Sequence, residues 1–133
     1  MRNRLFLATC FIAFYFVTSF GQCPEGNITI KTQAELNQLF STYPNCHKIK
    51  KSISFIKSAA KPFTDLSLML KIDTILGDLV LNVKNTPSIQ GLSNIKYIGG
   101  DLSILSTDQL TTFPAFDSLQ KVGLNIEIQN NPK

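Results

Sequence analysis

"IGGDLSIL", residues 98–105, places two glycines and an aspartate ahead of an alternating apolar run. "ILGDLVLN", residues 75–82, makes nearly the same statement 23 positions earlier. Aligned on the residue before the glycines, Ile49, Ile75, Ile98 and Val122 form one column, with spacings of 26, 23 and 24. A polar column follows at Ser52, Asp78, Asp101 and Asn125. Two apolar columns come next, Ile53, Leu79, Leu102 and Ile126, then Phe55, Leu81, Ile104 and Ile128. Upstream, a three-residue cadence aligns Met69, Leu92 and Phe116, and then Ile72, Ile95 and Leu119.

Alternation with period two marks a short strand with one buried face. The cadence of three suits a tight, 3₁₀-like return segment. One such unit has no partner for its apolar face. Stacked units bury theirs in continuous Ile and Leu ladders, with strands about 4.8 Å apart. A period in the twenties is the sign of such stacking. The expected fold is therefore a mainly β parallel solenoid of about four coils. Gly77, Gly99, Gly100 and Gly123 are expected at a sharp corner, where a side chain would strike the neighbouring coil or φ would be positive. Asp78, Asp101 and Asn125, just past it, are expected to accept hydrogen bonds from corner amides.

The N-terminal portion reads differently. "NITI" (27–30) is a short strand. "TQAELNQLFSTYP" offers Thr32 as N-cap with Glu35 three positions on, an apolar stripe at Leu36, Leu39 and Phe40, and Pro44 as a stop. A capping helix over the open end of the stack is the expectation, with residues 22–48 as the cap and 49–133 as the coils.

Residues 1–21 read as a cleaved signal peptide: Arg2 and Arg4, an uncharged run from Leu5 to Phe20, and a small-residue exit ending at Gly21. The run is shorter than the roughly 20 residues of a spanning helix, so no membrane span is expected in the mature chain. Removing Arg2 and Arg4 lowers the formal charge from +4 to +2. The cluster at Lys48, Lys50, Lys51, Lys57 and Lys61 lacks arginine and aromatic interleaving, so no nucleic-acid partner is expected. With Cys10 in the leader, Cys23 and Cys46 remain as an even pair. In an exported chain they read as one disulfide, worth roughly 3 kcal/mol in the chain-entropy model.

The opening "QCPEGNITIKTQAELNQLFSTYPNCHKIK", followed by coils of the "IGGDLSI" type, resembles the receptor L domain family. The resemblance covers essentially the whole mature chain and is strongest to secreted and surface versions from Bacteroidetes-type bacteria. It implies a right-handed, leucine-rich-repeat-like solenoid in which Cys23 and Cys46 are the cap cysteines. Two features depart from the pattern. Lys84 and Thr107 stand where a strict leucine-rich repeat has Asn, and only Asn131 fits. The chain also stops at "NNPK" (130–133), so it reads as truncated at its C-terminus.

Catalysis is not expected. Asp78 and Asp101, if stacked, would lie about 5 Å apart, near the carboxylate separation of a retaining glycosidase, but an acidic column at a strand start is also ordinary corner capping. His47 is the single histidine and abuts Cys46. There is no nucleophile elbow, P-loop or dinucleotide fingerprint, and neither metal nor cofactor is expected. Asn27-Ile28-Thr29 is a glycosylation sequon, meaningful in a eukaryotic secretory pathway. The expected working surface is the outward strand face: Ser54, Ile56, Val80, Asn82, Ser103, Leu105, Glu127 and Gln129. Ile56, Val80 and Leu105 are more apolar than solvent requires. The functional expectation is an exported recognition or adhesion module for an extracellular protein or glycan. The alternatives are a structural spacer and, third, a carbohydrate-active enzyme. Self-association through the C-terminal edge at Ile126 to Gln129 is a further expectation.

Overall fold

The computed structural model describes residues 23–56, 63–106 and 116–131. The expected leader, residues 1–21, lies outside them. Among the described residues there are nine strands: β1 (Ile28–Ile30), β2 (Lys48–Ile49), β3 (Ile53–Ile56), β4 (Thr74–Ile75), β5 (Leu79–Asn82), β6 (Tyr97–Ile98), β7 (Leu102–Leu105), β8 (Lys121–Val122) and β9 (Ile126–Gln129). One α-helix, α1 (Gln33–Thr42), and two 3₁₀ segments, Ser67–Lys71 and Gln90–Leu92, lie between them.

The odd strands form a five-stranded parallel sheet in the order β1-β3-β5-β7-β9, and the even strands a four-stranded one, β2-β4-β6-β8. Each helical segment leads from a strand of the first sheet to one of the second. Strand and helix thus alternate along the chain in an α/β-like manner. This corrects the expected fold, a mainly β, right-handed parallel solenoid of about four coils with an N-terminal capping helix. The reason is local. Ile49, Ile75 and Ile98 looked like the ends of irregular return segments, but each belongs to a two-residue strand whose neighbours pair in register, Ile49 with Ile75 and Ile75 with Ile98. The 3₁₀ segments themselves lie on the expected cadence, at Met69 and Leu92, and a second sheet stands between each of them and the corner that follows.

The helix is not a separate cap either. It joins β1 to β2 as the 3₁₀ segments join β3 to β4 and β5 to β6, so it is the first member of the helical layer. Thr32 caps it by accepting from the Glu35 N–H at 3.2 Å, while Glu35 Oε2 accepts from the Lys31 N–H at 2.6 Å. Leu36 and Phe40 face the core. Gln33 fastens this helix to the next unit: its Nε2 donates to the Asp65 carbonyl at 2.8 Å, and its Oε1 accepts from the Thr64 and Asp65 N–H groups at 3.1 Å each.

The core lies between the two sheets and the helical layer. The first sheet contributes Ile53, Phe55, Leu79, Leu81, Leu102 and Ile104; the second contributes Ile49, Ile75 and Ile98; the helical segments contribute Leu36, Phe40, Met69 and Leu92. Register makes the columns continuous, with Ile53 opposite Leu79, Leu79 opposite Leu102 and Leu102 opposite Ile126. Cys23 and Cys46 are bonded and buried at the first unit.

Candidate functional site

The corner comes first, because it sets every strand of the larger sheet. Along it runs a ladder in which each unit's polar side chain accepts from the backbone of the next. Asn27 Oδ1 accepts from the Ser52 N–H at 3.3 Å, Ser52 Oγ from the Asp78 N–H at 2.9 Å, Asp78 Oδ1 from the Asp101 N–H at 2.9 Å, and Asp101 Oδ1 from the Asn125 N–H at 2.8 Å. Asp78 Oδ2 also accepts from the Ser52 hydroxyl, and Asp101 Oδ1 from Asn125 Nδ2. These carboxylates satisfy amides that ladder geometry would leave unpaired. Asn27 belongs to the ladder, although the column drawn from sequence began at Ser52. Its 25-residue separation from Ser52 and the "ITI" run behind it were the available signals.

The corner glycines owe their place to crowding. A Cβ on Gly99 would meet the Leu76 carbonyl oxygen, one on Gly123 the Gly99 carbonyl oxygen, and one on Gly100 the Asp78 carboxylate. None of the described glycines has positive φ. Left-handed backbone appears instead at the far ends of the long strands, at Asn85 (φ 61°), Ser106 (φ 56°) and Asn130 (φ 55°). Asn tolerates that region through its short polar side chain, and Ser does so less readily.

The outward face of the larger sheet carries two columns. Thr29, Ser54, Val80, Ser103 and Glu127 are paired in register, as are Ile56, Asn82, Leu105 and Gln129. Ile56 is 41% exposed, Val80, Asn82, Ser103 and Leu105 are half-buried, and Glu127 and Gln129 are exposed. The strand geometry brings all eight sequence-nominated residues onto one surface, with apolar atoms between polar ones.

A concavity separate from this sheet face carries no mark in the sequence. It has a volume of about 360 Å³ and lies along the helical layer, lined by Thr64, Asp65, Ser67, Gln90, Ser93 and Asp117 among others. Its residues come from three successive units at positions without periodic apolar marking, so no sequence signal pointed to it. Asp65 accepts from the Ser67 N–H at 2.7 Å and its hydroxyl at 2.8 Å. The backbone bond, and after it the hydroxyl bond, hold its carboxyl below the ordinary 3.8. Its bonds go to its own turn. Among the described residues no group of three or more His, Cys, Asp or Glu side chains converges as a metal site would require, and no helix is long and apolar enough to cross a membrane.

No family model matches the chain, nor does any curated protein or solved structure.

Proposed function

We propose that the protein is an exported, non-catalytic recognition module that meets an extracellular protein through the outward face of its five-stranded sheet. The observation that carries this reading is the register of the outward columns, which sets Ile56, Val80 and Leu105 into a continuous apolar-polar surface. That surface is an open sheet face, which suits another protein's surface better than a small ligand, since small ligands favour concave pockets. The disulfide Cys23–Cys46 fits an oxidising compartment.

The test is a binding screen of the intact chain against immobilised extracellular proteins, with a glycan array beside it. The same screen is run on the triple variant Ile56→Ala, Val80→Ala, Leu105→Ala. Loss of three half-exposed aliphatic contacts should weaken binding on the order of 10- to 100-fold, with an unchanged circular dichroism spectrum. Equal binding by the two chains sinks the reading. Binding on the glycan array alone moves the partner class from protein to carbohydrate.

A second reading rests on β9. Ile126 and Ile128 are 60% and 53% exposed, whereas Leu102 and Ile104, their partners in register, are 3% and 0% exposed. At the other end of the sheet, Ile28 and Ile30 are 8% and 3% exposed, in one core cluster with Leu36, Phe40 and the cystine. Among the described residues, the apolar columns are covered at β1 and exposed at β9. Head-to-tail stacking would press the open end against a closed one. The occupant that fits is a second copy meeting β9 with β9 about a two-fold axis.

A further inference from the structure

Asn27 opens the corner ladder and Thr29 the outward column, yet neither role uses the Asn27 side-chain nitrogen of the sequon Asn27-Ile28-Thr29. Its placement is specific. Ile28 is 8% exposed and points into the core, so Asn27 and Thr29, on either side of it, both lie exposed. Asn27 donates nothing among the described residues. Its oxygen is taken: the Ser52 backbone N–H is a donor only, so Oδ1 faces it, at 3.3 Å, and Nδ2 is the atom turned away. The sequon nitrogen is thus presented outward by the fold while the amide oxygen performs the structural task. A substituent on Nδ2 leaves the first rung of the ladder intact.

We infer that Asn27 is an N-glycosylation site, carrying an oligosaccharide on Nδ2 beside β1, the terminal strand of the five-stranded sheet among the described residues. The inference rests on the reading that the chain is exported, and it takes the secretory pathway to be a eukaryotic one. It thereby departs from the bacterial resemblance of the opening segment, which no matching family or protein supports. The donor is a lipid-linked oligosaccharyl diphosphate. A bond forms between Nδ2 and the anomeric carbon of the first sugar, and the bond from that carbon to the diphosphate oxygen breaks. The lipid diphosphate leaves with the electron pair, and Nδ2 gives up one proton. The attached glycan is bulky and hydrated. It stands where β1 ends the five-stranded sheet, and so obstructs strand addition at that edge.

The test uses the full chain in cultured animal cells, once with its own residues 1–21 and once with these replaced by a leader of known export. Intact mass is read on both medium and total lysate, because transfer precedes folding, and again after peptide N-glycosidase. The expected result is a mass gain of one oligosaccharide on both chains. It should be removed by the glycosidase with conversion of Asn27 to aspartate, be absent from Thr29→Ala, and be retained in Thr29→Ser. Thr29→Ala leaves the Asn27–Ser52 bond in place, so its behaviour does not depend on the ladder. A glycan on the leader-swapped chain alone sustains the site and overturns the export reading. An unmodified Asn27 on the leader-swapped chain, found in medium or lysate, overturns the site.

Discussion

Thr86 is 2% exposed, and its hydroxyl has no hydrogen-bond partner among the described residues. A buried hydroxyl without a partner loses its water and gains nothing in return. Replacing it by a methyl of similar shape removes that penalty. Thr86→Val is expected to stabilise the fold by about 1–2 kcal/mol, measured as a higher urea midpoint with an unchanged slope. A lower midpoint would show that the hydroxyl is satisfied in solution. Sequence reasoning had no means of singling Thr86 out. It stands in "NTPS" (85–88), where no periodic column marks it, and packing alone buries it. Asn85 beside it takes left-handed backbone, with φ 61°, which the short polar side chain of Asn tolerates.

At the scale of elements, the corner ladder and the turn at Asp65 make opposite kinds of claim. The ladder is a capping device, so what matters at Asp101 is an acceptor and not a charge. Asp101→Ala strips the Asn125 N–H of its partner and should cost about 1–2 kcal/mol. Asp101→Asn keeps an oxygen in place and should cost clearly less. Equal losses in thermal unfolding would refute the capping role. Asp65 works through its charge. Its folded pKa lies below the ordinary 3.8, so the unfolded chain takes up the proton first as pH falls. The stabilisation is complete above 3.8 and is lost as pH drops through the lower folded value. Asp65→Asn should therefore lower stability in the neutral range and flatten the acid limb of a stability-against-pH curve, so that variant and parent converge as pH falls below about 4. A variant with the same acid limb as the parent would contradict this. The sequence disclosed the first of these elements through its repeated Asp and Asn column. The second depends on Ser67 lying two residues on in a tight turn, a pattern too common to single out.

For the whole molecule, the asymmetry of the two ends carries the prediction. With Ile126 and Ile128 exposed by 60% and 53%, β9 shows solvent the columns that β3, β5 and β7 bury. If a second copy covers them, the apparent mass in sedimentation should rise with concentration towards that of a dimer. Ile126→Lys with Ile128→Lys should hold the chain monomeric, because two desolvated ammonium groups are far costlier to bury than two aliphatic chains. A monomer at every concentration excludes the self-pairing. Glu127, between these two isoleucines, faces the other side of the strand and leaves the apolar columns uncharged.

The sequence by itself determined the register. Periodic polar and apolar columns, spaced 26, 23 and 24 residues apart, admit one in-register stacking, since a slip of one residue would turn every buried Ile and Leu to solvent. It also determined the pairing of Cys23 with Cys46 and the start of α1 at Thr32, because each depends on few residues close in the chain. Tertiary structure alone decided the fold class and the true extent of the ladder. A two-residue strand such as Thr74–Ile75 is too short to alternate. Its identity comes from hydrogen bonds to units more than twenty residues away, such as the Leu76 N–H to the Ile49 carbonyl at 2.9 Å. The same holds for α1, which by its own sequence is a helix and nothing more. Its place in the layer beside Ser67–Lys71 follows from packing that no local pattern encodes.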